Sequence, residues 1–180
     1  LWSLTSLAYT KGQYYKPLFD WEMAAPYAKG LIVTDGCMLA YMARAILEDD
    51  EDAATNLVGQ YLDTFGRDNF YMELHTWQFM EPKTQNDFKL NADMTKINQG
   101  KVAIANKYGI PLIVVNDSHY ANPEDWENHA LVWEMSTHNN DDKSERGQTA
   151  AWIMDDSEMY FWMEKHGIGK SVVNKALHNT

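Results

Sequence analysis

The chain has 180 residues, 45% of them apolar, which suits a single domain that buries its own core. Asp and Glu number 26 against 15 Lys and Arg, and the net charge of −11 argues against a general DNA-binding surface while allowing the binding of cations. The single cysteine, Cys37, excludes an intrachain disulfide framework, and no apolar run is long enough to span a membrane, so we expect a cytoplasmic protein without a membrane partner.

The chain starts in the middle of a helix-like pattern at Leu1, which suggests a piece of a longer polypeptide. Residues 2–10 carry apolar side chains at helical spacing, and Gly12 is a suitable stop. The stretch "YYKPLFD" predicts an extended connection. A short helix is expected in "DWEMAAPYAKG", interrupted by Pro26 and ended by Gly30.

A first buried strand is predicted in "LIVTDG", residues 31–36, followed at once by a helix that begins at Cys37. The next segment, "DEDAATNLVGQYLDTFG", has the clearest helical pattern, with Gly66 as the residue after the helix. Its apolar face comprises Ala54, Leu57, Val58, Tyr61, Leu62 and Phe65.

Two further strands alternate with helices in the second half of the chain. Strands are predicted in "NFYMELH" and "IPLIVVND", with an irregular loop at 76–92 and a helix over 94–108 between them. A helix follows Asn122, which is a suitable N-cap, and a polar loop at 137–149 separates it from one or two short helices within 156–180. This alternation of strands and helices is typical of parallel βα units.

Possible metal ligands follow each predicted strand. In βα architectures the functional groups gather at the carboxyl ends of strands, and here these positions hold Cys37, Glu73 with His75, and Asp117 with His119. Such donors suit Zn²⁺ or Mn²⁺. Structural alternatives stay open for each residue: Cys37 as a small buried hydrophobe, Glu73 paired with a lysine, His75 on the outer strand face, Asp117 as a cap, and His119 packed or solvated.

The remaining histidines are expected to be structural. His129 lies in the capped helix, where it would pack or cap, and His138 lies in the polar loop. His166 and His178 lie in the C-terminal region, where the sequence suggests no partner.

Several blocks of the sequence resemble, in the same order, the PHP domain (polymerase and histidinol phosphatase) of bacterial DNA polymerase III alpha subunits. They are "SLAYTKGQYYKPLFD", "GLIVTDGC", "FYMEL" and "KYGIPLIVVNDSHYANPED". "ENHALVWEMST" and "VVNKALHNT" resemble that family's approach to its polymerase palm. The resemblance implies a distorted seven-stranded (βα) barrel with a polynuclear metal site, which acts as a 3′–5′ exonuclease in some members and as a scaffold in others.

The resemblance also implies which residues would hold metal. Cys37 matches the cysteine of the family's "SGC" turn, and Asp117 and His119 match its "ND-x-HY" ligands. In metal-binding members a histidine stands where this chain has Trp77, and His75 lies two positions away as a candidate substitute. The family's opening His-x-His does not occur in the sequence, so we expect an incomplete site with weak or absent hydrolysis.

We therefore predict an α/β fold: a partial, distorted (βα)7 PHP barrel with several parallel strands and flanking helices. Residues 1–155 would form the PHP-domain segment, and residues 156–180 a C-terminal helical extension toward a palm. The predicted metal ligands are Cys37, His75, Asp117 and His119, with Zn²⁺ or Mn²⁺ as the cofactor and no assigned catalytic residue.

The predicted function is a segment of a replicative DNA polymerase III alpha subunit with an incomplete metal-dependent phosphodiesterase site. The parent would be a DNA-directed DNA polymerase that contacts DNA and replisome proteins. Two alternatives stay open: a non-catalytic scaffold or docking module of the replisome, and a stand-alone PHP phosphoesterase.

Overall fold

The computed structural model describes residues 1–137 and 148–180, which divide into two compact units, Leu1–Tyr71 and Met72–Thr180. Residues 138–147, which include His138 and most of the predicted polar loop, lie outside the described residues. No helix in the described part of the chain combines the length and apolar character that crossing a membrane requires.

The first unit is mainly helical. Its elements are α1 (Trp2–Lys11), a hairpin of β1 (Gln13–Tyr14) and β2 (Lys16–Pro17), α2 (Trp21–Ala24) with a 3₁₀ turn (Ala25–Tyr27), β3 (Val33–Thr34), α3 (Tyr41–Leu47) and α4 (Glu51–Phe65).

Helix α4 confirms the clearest pattern in the sequence. The Asp50 side chain accepts the backbone N–H of Ala53 at 2.9 Å, which caps the helix as a short acidic residue can. Ala54 and Val58 are buried, and Gly66 ends the helix with φ +82° and ψ 156°. Few residues other than glycine adopt that backbone conformation.

Three predictions for the first unit differ from the structure. The "YYKPLFD" region contributes to an antiparallel hairpin around Tyr15, whose φ is +57°. The predicted strand at 31–36 is reduced to Val33–Thr34, and the helix expected from Cys37 begins at Tyr41. The chain first makes a turn in which the N–H of Ala40 donates to the carbonyl of Cys37 at 3.0 Å, and this turn delays the helix.

Strand β4 (Phe70–His75) begins in the first unit and continues into the second. Phe70 and Tyr71 pair with β3, whereas Met72 to His75 pair with β5 (Leu112–Val115). Both pairings are parallel, which gives the strand order β3-β4-β5. The predicted α/β class with parallel strands and flanking helices is confirmed, while the seven-stranded barrel stays a prediction.

Helix α5 (Gln85–Tyr108) is longer than predicted, so the expectation of a loop throughout 76–92 was wrong for its last eight residues. The reason is a reciprocal cap in which Asp87 N–H donates to Thr84 Oγ1 and Thr84 N–H donates to Asp87 Oδ2, each at 3.2 Å. Gly109, with φ +65°, ends the helix in a left-handed conformation as predicted.

The second unit is completed by α6 (Trp126–Thr137), α7 (Asp156–Lys165) and α8 (Lys170–Asn179), which confirms two helices within 156–180. Helices α7 and α8 share a core with β4 and β5. The predicted boundary at residue 155, between the PHP segment and the helical extension, stays a prediction. The buried members of this core are Leu74, Val114, Met163, Ile168, Val173 and Ala176.

The end of α8 contacts the backbone of β5 directly. The N–H of Val114 donates to Thr180 Oγ1 at 3.1 Å, and Asn179 Nδ2 donates to the carbonyl of Leu112 at 2.9 Å. These bonds anchor Asn179 and Thr180 to the strand that directly precedes Asp117 and His119.

Candidate functional site

The end of β5 exposes Asp117 and His119, the two residues predicted to bind metal. Asp117 has φ +51°, a left-handed conformation that interrupts the extended backbone after the strand. The N–H of His119 donates to the carbonyl of Ala151 at 2.7 Å, which fixes the backbone at that position. Both side chains therefore stand on a turn that is held at its base.

Hydrogen bonding selects one tautomer of the His119 ring. Nδ1 lies 2.7 Å from the carbonyl oxygen of Asp117, and a carbonyl can only accept a hydrogen bond. The proton of the neutral ring is therefore on Nδ1, and Nε2 carries the lone pair. A backbone carbonyl of this kind commonly orients metal-binding histidines.

A second imidazole, from helix α6, lies beside His119. The ring centres of His119 and His129 are 5.3 Å apart with an interplanar angle of 61°, and the Tyr120 ring centre lies 5.6 Å from that of His129. Burial lowers the pKa of His129, and the neighbouring His119 lowers this pKa further. From the sequence we expected only a packing or capping role for His129, because its neighbour is ten positions away on another element.

His75, the candidate ligand from β4, is buried and makes its contacts within the protein. Its side chain is 4% exposed, and Nε2 lies 2.7 Å from Glu73 Oε2. Asn98 of α5 also binds the backbone of His75 twice: its Oδ1 accepts the N–H at 3.0 Å, and its Nδ2 donates to the carbonyl at 2.8 Å. Lys101, which is fully buried, donates to the carbonyl of Glu73 at 3.0 Å.

Glu73 and His75 meet because residues two apart on a strand point to the same face. The sequence pointed to both residues and left open a pairing of Glu73 with lysine. In the structure the Glu73 carboxylate binds the His75 ring, and the ammonium of Lys101 donates to the backbone carbonyl of Glu73.

Cys37 belongs to the first unit, where it follows β3 as a half-buried free thiol. Trp77, which the resemblance aligns with the family's histidine, is half-buried and packs edge to face on Phe79 with ring centres 5.3 Å apart. Across residues 1–137 and 148–180, no three or more His, Cys, Asp and Glu side chains form a group able to hold a metal ion. The assignment of Cys37, His75, Asp117 and His119 as ligands stays a prediction.

His166, at the end of α7, is a fully buried histidine for which the sequence suggested no partner. Its Nδ1 lies 3.0 Å from Thr95 Oγ1, and its carbonyl accepts a hydrogen bond from Gln99 Nε2 at 3.0 Å. Burial lowers the pKa of His166 to about 4; the Thr76 backbone opposes this shift, and His75 adds to it. Because Thr95 lies 71 residues away in the chain, no local pattern could have found this contact.

Comparison with known proteins places these features in a family. Residues 1–77 match the model of the PHP domain. The DNA polymerase III subunit alpha of Chlamydia trachomatis is 35% identical over 138 residues, which cover 72% of this chain and 11% of the relative. The protein of the same name from Thermus aquaticus is 33% identical over 143 residues, covering 79% of this chain and 11% of the relative.

A third similar protein, the DNA polymerase III subunit alpha of Treponema pallidum, is 34% identical over 122 residues, or 68% of this chain and 9% of the relative. The chain thus spans only about a tenth of the length of the curated relatives it matches.

Proposed function

Because this chain belongs to the PHP-domain family of DNA polymerase III alpha subunits, we propose that it is a structural PHP segment of a replicative DNA polymerase. In this proposal the parent polymerase contacts DNA and the other replisome proteins in the cytoplasm, and the segment supports its architecture. The net charge of −11 agrees with DNA contact through the parent polymerase rather than through this segment, because a phosphate-binding surface needs clustered Lys and Arg.

The engagement of His75 is the observation that carries the structural role. The His75 side chain is 4% exposed and its Nε2 is paired with Glu73, so only Nδ1 could offer a lone pair to a cation, and it would do so from inside the protein. The double contact with Asn98 then fixes the His75 backbone to α5. These interactions connect β4 to helix α5 and give His75 and Asn98 a role in stability.

A second candidate is the metal-dependent phosphodiesterase predicted from the resemblance, with 3′–5′ exonuclease-like activity. The exposed Asp117 and the orientation of His119 favour it, because one carboxylate and one Nε2 lone pair are suitable donors for Zn²⁺ or Mn²⁺. A bound metal would supply an activated water for attack on phosphorus. We rank the structural role first because the contacts of His75 with Glu73 and Asn98 support it directly.

A hydrolysis assay on the full chain separates the two candidates. The purified chain is incubated with 3′-labelled single-stranded DNA, or with bis-p-nitrophenyl phosphate, in the presence of Mn²⁺ or Zn²⁺. For a structural segment we expect no release above the metal-only control. Metal-dependent release that disappears in Asp117→Ala and His119→Ala, and persists in the exposed control His178→Ala, would establish the phosphodiesterase instead.

A further inference from the structure

We propose that the end of α1 and the hairpin that follows it form a docking surface for a short, acidic and apolar peptide segment of another protein. This hairpin surface comprises Lys11, Tyr14, Tyr15, Lys16, Leu18 and Phe19. It contains none of the predicted metal ligands, and the inference goes beyond the proposed structural role without depending on it.

The apolar side chains of the hairpin surface face solvent. Tyr14 is 72% exposed and Tyr15 is 91% exposed, while Leu18 and Phe19 are each more than half exposed. Together these four residues expose on the order of 500 Å². The largest apolar patch of a typical monomer covers about 300–600 Å², and such patches are often binding sites. The hairpin surface is therefore large enough to bind a partner.

The backbone holds this surface in one shape. The N–H of Leu18 donates to the carbonyl of Gly12 at 3.0 Å, which closes the hairpin onto the end of α1. The approach is close, because a Cβ at Gly12 would lie 1.9 Å from the carbonyl oxygen of Leu18. A surface that is already shaped before binding loses less conformational entropy when a partner binds.

Tyr15 occupies the tip of the hairpin at a conformational cost. Its φ of +57° lies in the left-handed region that a bulky residue rarely adopts. Its ring packs edge to face on Tyr14, with ring centres 4.8 Å apart, and the residue stays almost fully exposed. Because burial within this chain does not compensate for the strain, we attribute the tyrosine at this position to a contact with another molecule.

The charges on this surface are positive, in contrast to the chain as a whole. Residues 1–19 contain no Asp or Glu, although the chain has 26 of them. Lys11 and Lys16 are exposed, and Lys16 pairs with Tyr14 across the two strands, which places their side chains on the same face. An anionic partner is therefore attracted to the hairpin surface and repelled by the acidic remainder of the chain.

The balance of charge and apolar area selects the partner. Two lysines are too few for a nucleic acid, whose phosphate backbone requires a larger cluster of Lys and Arg. An area of about 500 Å² is also below the ~800 Å² that each partner buries in a stable globular complex, which disfavours a second copy of this chain. A short peptide that combines carboxylates with apolar side chains matches both the two ammonium groups and the aromatic rings. We expect micromolar affinity that weakens with added salt.

The test begins with the selection of peptides about a dozen residues long, from a random displayed library, on the immobilised full chain. Peptides that combine Asp and Glu with Leu, Phe or Pro should be enriched. The affinity of one fluorescein-labelled enriched peptide is then measured by fluorescence polarisation at low and high salt, with and without oligothymidine as a competitor.

Two variants test the hairpin surface itself. Tyr15→Gly should weaken peptide binding about tenfold or more, while its urea midpoint stays the same or rises, because glycine accepts the positive φ without strain. Lys16→Glu should weaken binding by a similar factor through charge reversal. The controls Tyr41→Ala and Lys170→Glu alter an exposed ring and an exposed ammonium outside this surface, and both should keep the parental affinity.

A spectroscopic measurement on the unaltered chain accompanies the binding assay. In aromatic ¹H–¹³C spectra the peptide should shift the ring signals of Tyr14 and Tyr15 and leave those of Tyr41 and Tyr160 in place. This readout needs no substitution, so it holds even where a variant fails to fold.

Four outcomes overturn the proposal. The first is the absence of enriched peptides, or an enriched set that lacks Asp and Glu. The second is unchanged affinity in a folded Tyr15→Gly, or peptide-induced shifts confined to other tyrosines. The third is displacement of the peptide by oligothymidine that itself binds the chain, which would identify a nucleic acid as the partner. The fourth is a concentration-dependent dimer that Tyr15→Gly abolishes, which would identify a second copy of the chain.

Discussion

Acidification is expected to destabilise the second unit through His166. The ring is fully buried beside Thr95, and burial lowers the pKa of its imidazole from 6.5 to about 4. The unfolded chain binds this proton below pH 6.5, whereas the folded chain resists it until about pH 4. Stability is therefore complete above pH 6.5 and is lost progressively as the pH falls toward 4.

The size of the effect follows from the shift. A difference of about 2.5 pKa units, at 1.36 kcal/mol each, corresponds to a total of about 3 kcal/mol. Integration over the titration gives a loss of about 2 kcal/mol between pH 7.5 and pH 5. This is a large fraction of the 5–15 kcal/mol that is typical of a folded domain.

Urea denaturation followed by tryptophan fluorescence at pH 7.5, 6 and 5 measures this loss. In His166→Gln, which retains a polar group but cannot bind a proton in this range, the loss from pH 7.5 to pH 5 should shrink by about 2 kcal/mol relative to the parent. The exposed control His178→Gln should keep the parental pH dependence. An unchanged pH dependence in His166→Gln would refute the reasoning, whatever the absolute stability of the variant.

Three substitutions, with Gly59→Ala as a control for the third, test other features by the same denaturation assay. Asn98→Leu should cost about 2–4 kcal/mol, because it leaves the N–H and carbonyl of His75 buried without this partner; a loss below 1 kcal/mol would contradict the proposed structural role. Thr84→Ala should cost about 1 kcal/mol by removing the cap of α5, with a matching loss of helical circular dichroism. Gly66→Ala should cost about 1–3 kcal/mol because φ is +82° there, whereas Gly59→Ala, inside α4 with open space around it, should be neutral or stabilising.

Local signals were sufficient for the elements whose ends are determined by nearby residues. The apolar spacing of α4, with a glycine after Phe65, predicted that helix closely, and the structure adds a cap at Asp50. The β-branched run before Asn116 predicted β5, because the end of this strand is also determined by nearby residues. The start of α5 was missed because its reciprocal cap has aspartate at the third position, where the usual signature has Glu or Gln.

The candidate site shows where local reasoning ends. Sequence placed Asp117 and His119 correctly after a strand, because a strand end and its turn are short-range features. The partner of His119 on α6 and the contact of Thr95 with His166 depend on tertiary packing, which no spacing rule encodes. His75 was placed on the right strand, but the 23-residue separation from Asn98 concealed its structural contacts.

The bonds between the end of α8 and β5 have a consequence for self-association. A strand whose outer N–H and carbonyl groups are unsatisfied can template pairing with a second molecule, and proteins usually cover such strands. Here Asn179 and Thr180 occupy the backbone of Leu112 and Val114 with side-chain hydrogen bonds. These two polar residues therefore protect the strand against aggregation. A chain in which α8 detaches would expose a β-branched strand edge with which neighbouring molecules can pair.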